Sequence, residues 1–447
     1  MADSSQATPK HLKRELGTFG AVMLGLGSIV GTGVFVSIGV AAGIAGSAVV
    51  VAVVLGAVVA TFNGLSSAQL AANHAVSGGT YEYGYKFLTP ALGFIAGWTF
   101  LLAKSASAAT AALGFAGYLL GVLGGSSRFQ IPLALLAVVV LTLVVLSGVR
   151  RSNITNIIIV SVTLLTLATF IVTGTPTAFD QAPTHFAGSF DLSDQGGLSA
   201  FLYATALMFV AYTGYGRIAT LGEEVRKPKE TIPRAIIVTL ITTMTLYTLV
   251  ALVAVGAASA EVLGEPGNRA APLELAALTF GVPFVPQIVA VGAITAMLGV
   301  LLNLILGLSR VLLAMGRRRD MPTVLGELNA AGTTPTGAVI VMGSFVALLT
   351  LLGDVKTTWT FSAFSVLIYY AITNLAALFI PNEGRLFPKW ISVAGLVCCA
   401  GLAFFVEPRV WQIGLGLIAL GLVWYFVAKS FKADRSRGAE EPRGRGE

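Results

Sequence analysis

Two clusters of glycine interrupt apolar stretches that otherwise have the composition of membrane helices. Gly27, Gly31 and Gly33 lie in GSIVGTG near the start of the chain, and Gly214 and Gly216 lie in TGYG near its middle. Glycine destabilises a helix interior by about 1 kcal/mol relative to alanine, so each helix is expected to break at its cluster. A broken helix leaves backbone N–H and C=O groups without helical partners, which a membrane tolerates only where protein or a cavity supplies others.

Backbone groups released in this way can bind a small polar ligand. The N-terminal end of a half-helix presents N–H groups and a positive dipole to an anion, whereas a C-terminal end presents carbonyl oxygens to an ammonium group. A zwitterion needs both kinds of end. For either cluster alone, a simple kink or a close contact between helices is an equally good interpretation. Two clusters together favour a binding site.

The composition places both clusters in an all-α, polytopic membrane protein. Of the 447 residues, 55% are hydrophobic and only 11% are charged, which excludes an ordinary soluble globular protein. Runs of about 20 apolar residues are long enough to cross a bilayer, and the sequence contains twelve such runs. They comprise residues 18–42, 46–70, 89–122, 131–149, 153–174, 198–222, 234–258, 285–315, 336–353, 358–380, 390–406 and 410–429.

The two clusters occupy the first and the sixth of these twelve spans (TM1 and TM6), which are matching positions in two consecutive sets of five. Many transporters consist of two inverted halves whose corresponding helices are interrupted at the substrate site. We therefore predict a 5+5 inverted repeat in which TM1 and TM6 are broken in mid-membrane. The predicted segments are an N-terminal cytoplasmic tail (1–17), the first repeat with TM1–TM5 (18–174), an extracellular loop (175–197), the second repeat with TM6–TM10 (198–380), the additional TM11–TM12 (381–429) and a disordered cytoplasmic tail (430–447).

Positive charge predicts the orientation in the membrane. On this assignment, 23 of the 28 Lys and Arg residues fall on the side that holds both termini, so both termini are expected in the cytoplasm. The expected location is the cytoplasmic membrane, meaning the inner or plasma membrane. The net charge of +7 then reflects topology and attraction to anionic membrane lipid, and no nucleic acid is expected as a partner.

Four segments of the chain resemble characteristic segments of the amino acid-polyamine-organocation (APC) superfamily, in its bacterial amino acid transporters. They are GSIVGTGVF (27–35), SGGTYEYGYKFL (77–88), TGYGRIATLGEEVRKPKETIPRAI (213–236) and LSRVLLAMGRRRDMP (308–322). The resemblance extends over at least ten helices. It implies the leucine-transporter-type fold and secondary transport of an amino acid or related amine by alternating access.

The same resemblance implies roles for main-chain atoms at the two breaks. The backbone amides of Thr32 and Gly33 would hold the carboxylate of the substrate. The carbonyl oxygens that would face its amino group belong to Ile29, Val210 and Thr213. Because these are main-chain atoms, the side chains at the five positions are partly free to vary.

The chain also departs from the superfamily at positions that bear on coupling. Where many sodium-independent relatives carry a lysine in helix five, this chain has Thr163, and where some carry a gating glutamate after the second break, it has Gly216. A sodium site would need hydroxyl ligands on helix eight, and Thr295 is the single candidate there. We therefore expect sodium-independent transport that is proton-coupled or runs by exchange.

Two tyrosines, Tyr212 and Tyr215, flank the second break and are gate candidates. Aromatic side chains at these positions are equally well explained by packing or by the membrane interface. The sequence leaves these two interpretations open.

Lys104 is an ionisable side chain within the third span, and burying such a group in a membrane is costly enough to suggest a function. It follows Trp98 by six residues, so it could snorkel back to an interface at Trp98 or pair with backbone carbonyls. Alternatively, it could load and unload a proton, or supply a positive charge for an acidic substrate side chain. The coupling candidates are therefore Lys104, Thr163 and Thr295.

The favoured function is a secondary transporter of an amino acid, with a neutral one preferred. The alternatives are a transporter of cationic amino acids, polyamines or other organic amines, and an uncoupled sensor or channel on the same scaffold. An enzyme is not expected, because the spans contain no carboxylate, histidine or nucleophile with an evident base. No cofactor and no metal site are expected either, since His11, His74 and His185 are far apart and the adjacent Cys398 and Cys399 lie inside a span.

Overall fold

A computed structural model describes residues 16–74, 78–148, 153–187, 197–219, 225–265, 267, 271–330, 332–352 and 354–440. Within these residues, all elements of regular secondary structure are helices. The helices are α1 (Thr18–Ile29), α2 (Thr32–Phe35), α3 (Ser37–Ala45), α4 (Val49–Asn73), α5 (Thr80–Phe87), α6 (Pro90–Leu123), α7 (Gln130–Leu146), α8 (Asn153–His185), α9 (Gly197–Tyr212), α10 (Gly216–Ala219), α11 (Pro228–Ala258), α12 (Ala260–Gly264), α13 (Pro272–Leu278), α14 (Val285–Arg317), α15 (Thr336–Thr350), α16 (Val355–Leu378), α17 (Lys389–Leu402) and α18 (Pro408–Glu440). The 3-10 turns lie at Gly46–Ala48, Ser127–Phe129, Thr213–Tyr215, Thr323–Gly326 and Asn382–Gly384.

Many of these helices can cross a membrane. In the described ranges, ten helical segments are long and apolar enough to do so, and α15 and α17 are shorter apolar helices of 15 and 14 residues. The perimeter also suits lipid, since α7 exposes Leu136, Val139 and Leu143 by 58%, 51% and 59%. The prediction of an all-helical protein that crosses the membrane many times is confirmed, while the count of twelve spans and the inverted repeat stay predictions.

The helix α6 occupies a central position and packs against α14 and α16. Eight of its alanines are fully buried: Ala96, Ala103, Ala106, Ala108, Ala109, Ala111, Ala112 and Ala116. Small side chains let the backbones of neighbouring helices approach closely, which matters in a membrane because burying apolar area there gives little driving force. Close packing on α6 therefore fixes the positions of the side chains that it presents to its neighbours.

The two ends of the helical bundle carry different connecting elements. The end at which α1 begins also holds α5 and the turn Thr323–Gly326, and we call it the Thr18 end. The opposite end holds α12 and α13, which pack against α3 and α14 respectively. We call it the α13 end.

The first predicted break lies between α1 and α2. Helix α1 ends at Ile29, Val30 is extended with φ −77° and ψ 103°, and α2 begins at Thr32. The second break is tighter than the unwound stretch that the glycines suggest. Helix α9 ends at Tyr212 and is followed by the 3-10 turn Thr213–Tyr215 and by α10. A 3-10 turn keeps some backbone bonds, so this break frees fewer carbonyls.

The two breaks touch each other through their glycines. A Cβ atom added to Gly33 would lie 2.8 Å from the Cα of Ala211, and one added to Gly214 would lie 2.3 Å from the carbonyl oxygen of Ser28. Real Cβ atoms essentially never come within 3.0 Å of another heavy atom. Glycine is therefore required at both positions because the two backbones approach each other there.

Two helices extend beyond the predicted segment ends. The predicted loop 175–197 begins inside α8, which continues to His185 past Pro176 and Pro183. Each proline removes a backbone hydrogen bond and crowds the preceding turn, but the end of α8 is held by His185, whose Nδ1 donates to the carbonyl of Gly256 in α11 at 2.7 Å. The predicted tail 430–447 likewise begins inside α18, which runs to Glu440. Residues 188–196, 441–447 and 1–15 of the predicted loop and tails lie outside the described residues.

Candidate functional site

A cavity of about 40 Å³ lies where the two breaks meet, which is room for roughly three or four water molecules. Its lining comes from α1, α2, α6, α9, α14, α16 and the second break. The lining residues are Ser28, Ile29, Thr32, Gly33, Lys104, Ser107, Val210, Ala211, Thr213, Gly214, Val300, Leu304 and Trp359. All five residues expected to offer backbone groups line this one cavity, and Lys104 joins them.

One wall of the cavity presents backbone N–H groups. The helical bonds of α2 begin with Val34 and Phe35, whose N–H groups both donate to the carbonyl of Gly31 at 3.1 Å. The N–H groups of Thr32 and Gly33 precede them in the first turn, where an α-helix leaves its amides without intrahelical acceptors. The buried hydroxyl of Thr32 also has no hydrogen-bond partner within the described part of the chain. This wall is suited to an anion.

A second wall presents backbone carbonyls, and each already accepts a hydrogen bond from a hydroxyl. Tyr247 of α11 donates to Ile29 at 2.8 Å, and Tyr370 of α16 donates to Thr213 at 3.0 Å. The hydroxyl of Thr213 itself donates to the carbonyl of Val210 at 2.8 Å. A carbonyl oxygen has two lone pairs, so each of these groups can still accept from an ammonium ion.

Lys104 points into the cavity from α6. Its ammonium donates to the hydroxyl oxygen of Thr213 at 2.9 Å, whereas Trp98, six residues earlier, donates to the carbonyl of Leu417 in α18. The side chain therefore does not snorkel towards Trp98. None of the thirteen residues that line the cavity carries a carboxylate, so the cavity contains a basic group and no acidic one.

The remaining wall is apolar. Val300 and Leu304 of α14 and Trp359 of α16 line it, and the indole of Trp359 donates to the carbonyl of Leu207 at 3.1 Å. Beside it, the hydroxyls of Ser107 and Ser362 lie 2.7 Å apart and join α6 to α16. This wall suits a small, uncharged side chain.

Several predicted site residues do not line the cavity. The hydroxyl of Thr163 donates to the carbonyl of Ile159 in its own helix, and that of Thr295 donates to Val291, each at 2.8 Å. Neither residue is among those that line the cavity. Gly27 packs against α8 instead, because a Cβ atom there would lie 2.4 Å from the side-chain oxygen of Asn156.

The other predicted glycines and the two gate candidates surround the breaks. A Cβ atom on Gly31 would lie 2.6 Å from Val300, and one on Gly216 would lie 3.0 Å from the hydroxyl of Tyr370. Tyr212 and Tyr215 are fully buried. Tyr212 packs against Tyr247 with ring centroids 5.1 Å apart, and Tyr215 packs against Tyr370 at 5.4 Å. The gate candidates thus contact the two tyrosines that bond to the cavity carbonyls.

Sequence reasoning missed Tyr247 and Tyr370. Tyr247 is the one tyrosine of α11, and Tyr370 follows Tyr369 in α16. A sequence does not distinguish either of them from a packing aromatic. A weak signal existed, since a phenol buried in a membrane helix needs a hydrogen-bond partner, and the broken helices are where unpaired carbonyls occur.

A polar cluster lies at the Thr18 end. The carboxylate of Asp320 accepts from the hydroxyls of Tyr81 and Tyr85 of α5 at 2.7 and 2.5 Å. Burial, and then these hydrogen bonds, raise the pKa of both phenols well above its usual range. From the same short helix, Tyr83 donates to the carbonyl of Ala219 in α10 at 3.3 Å. Helix α5 thus joins the region after α14 to the region after the second break.

An acidic residue, Glu274, lies at the α13 end. One of its carboxyl oxygens is buried without a hydrogen-bond partner in the described part of the chain, and burial raises the pKa of the carboxyl to about 7. A Cβ atom on Gly121 of α6 would lie 2.5 Å from that oxygen. The neighbouring Leu273 donates its backbone N–H to Tyr118 at 3.3 Å, and Tyr118 donates to Phe35 at the end of α2 at 2.6 Å.

The sequence pattern of the family described as amino acid permease matches residues 20–437. An uncharacterized transporter of Mycobacterium tuberculosis (strain ATCC 25618 / H37Rv) is 38% identical over 425 residues, which cover 94% of this chain and 92% of that protein. The branched-chain amino acid permease BcaP of Bacillus subtilis (strain 168) is 27% identical over 438 residues, covering 94% and 92%. The vacuolar cationic amino acid transporter 4 of Arabidopsis thaliana is 26% identical over 401 residues, covering 84% and 65%.

Proposed function

This chain belongs to the amino acid permease family, and we propose that it is a secondary transporter that carries a small neutral amino acid across the membrane by alternating access. The family and these relatives are transporters and not enzymes. The observation that carries the proposal is the meeting of both helix breaks at one cavity, with amides on one wall and carbonyls on the other. Such a cavity is complementary to a zwitterion.

In the proposed complex, the carboxylate of the amino acid accepts from the N–H groups of Thr32 and Gly33 at the start of α2, where the helix dipole also favours a negative charge. Its ammonium group donates to the carbonyls of the second wall, at Ile29, Val210 and Thr213. The hydroxyl of Thr32, which lacks a partner within the described residues, is available to the carboxylate as a further donor.

A neutral substrate side chain is supported by the apolar wall. Val300, Leu304 and Trp359 offer it no charged partner, and a cationic side chain would lie in a cavity that contains Lys104 and no carboxylate among its lining residues. Burying an unpaired charge is costly. This argues against cationic amino acids and polyamines, although a cationic amino acid transporter is among the relatives.

The proposal includes the topology expected from the sequence. The protein lies in the cytoplasmic membrane, and its Thr18 end faces the cytoplasm. Residues 18–174 and 198–380 form two inverted repeats. Tyr212 and Tyr215 act as gates beside the second break. Transport does not require sodium, since neither Thr163 nor Thr295 is among the residues that line the cavity.

Counterflow into proteoliposomes tests this function. Vesicles that contain the purified protein are loaded with unlabelled L-alanine, L-valine, L-leucine or L-lysine and diluted into a trace of the same labelled amino acid. A transporter of neutral amino acids accumulates label transiently above the external concentration for at least one of the first three and not for L-lysine. Equilibration without an overshoot would instead indicate a channel, and an overshoot with L-lysine alone would indicate a cationic substrate.

A further inference from the structure

Lys104 occupies the side of the cavity where the amino group of a substrate would lie. Its ammonium donates to the hydroxyl of Thr213, and that hydroxyl donates its own proton to the carbonyl of Val210. Thr213 and Val210 are two of the three residues whose carbonyls are proposed to receive the substrate ammonium. Lys104 and the ammonium group of the proposed substrate therefore both bind at the second break, and both contact Thr213.

The charges around Lys104 leave room for only one ammonium ion. Of the elements packed against α6, α14 presents Val300 and Leu304 to the cavity, α16 presents Trp359, and α2 presents the N–H groups of its first turn, which carry positive partial charge. No carboxylate, histidine or arginine is among the lining residues.

Besides Lys104, two phenols contact the carbonyl wall. Tyr247 and Tyr370 donate to that wall, and Tyr212 and Tyr215 pack behind them. These groups are neutral hydrogen-bond donors, so they supply no negative charge that could balance a second cation in a cavity of about 40 Å³.

We propose that charged Lys104 and the substrate ammonium exclude each other, so that each bound amino acid displaces one proton and the protein exchanges substrate for protons. In the empty state, the ammonium of Lys104 bonds to Thr213. When an amino acid binds, the N–H bond of Lys104 breaks, the proton passes to water on the open side, and the electron pair stays on the neutral amine. When the amino acid leaves, a proton returns from water on the side then open.

This inference rests on the proposed function and gives the exchange a direction. An exchanger moves substrate from the alkaline side to the acidic side, because protons travel the other way. In a cell whose exterior is more acidic than its cytoplasm, the protein would therefore export amino acid. A symporter, in which proton and substrate bind together, would move substrate towards the alkaline side.

A pH gradient across proteoliposomes separates the two directions. The labelled neutral amino acid that gives the largest counterflow signal is present at equal concentrations inside and outside the vesicles. Potassium and valinomycin clamp the membrane potential. With the lumen one pH unit more acidic than the exterior, we expect label to accumulate inside, towards about a tenfold ratio for one-for-one exchange. Loss of label from the acidic lumen, or no net movement, would overturn the proposal.

Binding measurements with two substitutions of Lys104 test its role separately. Methionine removes the charge at similar length, whereas arginine keeps a permanent charge. We expect Lys104→Met to bind the amino acid independently of pH, and Lys104→Arg to bind it at least about tenfold more weakly than Lys104→Met at every pH. If Lys104 were only a structural donor to Thr213, arginine would be the milder change. Lys86→Met, at an exposed lysine of α5, is the matched control and should behave as the wild type.

Proton release provides a readout that a structural role would not change. In wild-type protein, calorimetric titration in two buffers of different ionisation enthalpy should show about one proton released per amino acid bound under acidic conditions, and Lys104→Met should release none. Counterflow that persists while wild-type binding releases no proton would overturn this inference and leave the proposed function intact. Absence of counterflow with every amino acid would instead overturn the proposed function.

Discussion

The hydroxyl of Tyr247 in α11 donates to the carbonyl oxygen of Ile29, the last residue of α1, at 2.8 Å. This bond ties the end of the first half-helix to a neighbouring helix and fixes the direction in which one cavity carbonyl points. A carbonyl at the end of a helix has no partner in its own helix, so its direction depends on such a contact.

Substituting Tyr247 with phenylalanine should therefore weaken substrate binding without unfolding the protein. The ring keeps its packing on Tyr212, whereas the Ile29 carbonyl loses a hydrogen bond of about 0.5–1.5 kcal/mol. We expect KM in uptake assays to rise about two- to tenfold, with a nearly unchanged maximal rate. Tyr203→Phe is the matched control, since Tyr203 is a buried tyrosine whose hydroxyl lies 2.7 Å from that of Thr360 and outside the cavity. Equal changes in both variants would contradict this role.

Gly33→Ala should abolish transport. The new Cβ atom would lie 2.8 Å from the Cα of Ala211, and two backbones cannot move apart there without separating the amide wall from the carbonyl wall. We expect at least about a hundredfold loss of uptake, in line with the effect of small misplacements in a preorganised site. Gly416→Ala in α18, where an added Cβ atom meets nothing within 4 Å, should keep wild-type uptake. Substantial transport by Gly33→Ala would show that the breaks need not touch.

Glu274 should make thermal stability depend on pH. Burial raises the pKa of this carboxyl to about 7 from an ordinary value of 4.5, so the folded state binds the proton more tightly than the unfolded state. Its contribution to stability is complete below about pH 4.5 and is lost as the pH rises through about 7. We expect the melting temperature to fall by about 2 °C over this range, a small change because the carboxyl is only partly buried.

Glu274→Gln, which stays neutral, should remove this part of the pH dependence. Glu261→Gln, at an exposed glutamate of α12, is the control and should leave the dependence as in the wild type. A melting profile that Glu274→Gln does not alter would show that the carboxyl is solvated in the folded protein.

Asp320→Ala should destabilise the Thr18 end. It leaves the hydroxyls of Tyr81 and Tyr85 without their shared acceptor, and hydrogen bonds to a charged group are worth about 1.5–3 kcal/mol each. We expect the melting temperature to fall by about 5 °C. Asp320→Asn keeps an oxygen acceptor and should lose less than half as much. If both variants were equally unstable, the negative charge and not the acceptor would hold α5 in place.

The glycines predicted the main-chain part of the candidate site because a backbone contact imposes its requirement directly on residue type. Gly33 and Gly214 lie where two backbones meet, and no other residue fits there. The positions of Lys104 and Thr213 in one cavity were harder to foresee, since they depend on how α6 packs against the second break. Tyr247 and Tyr370 were not predictable, because a buried tyrosine has the same appearance in a sequence whether its hydroxyl meets a cavity carbonyl or another helix.

The lengths of the helices show the same limit. The Gly-Thr-Pro sequence at 174–176 is typical of a helix end, yet α8 continues to His185. Its continuation depends on a contact with Gly256 of α11, about 70 residues away in sequence, and local propensity carries no information about such a contact. The tightness of the second break has a similar origin, since Tyr370 holds the carbonyl of Thr213 from another helix.

The hydroxyls that bond to the cavity carbonyls have a consequence for the half of the cycle in which no amino acid is carried. One lone pair of each carbonyl accepts a hydrogen bond from Tyr247, Tyr370 or Thr213. The protein without bound amino acid can therefore change conformation without leaving these carbonyls unpaired in an apolar environment. Such a carrier returns with the proton proposed for Lys104 and does not need a second amino acid to bind on the far side. The carbonyl wall therefore permits net transport of amino acid, in addition to the exchange of one amino acid for another.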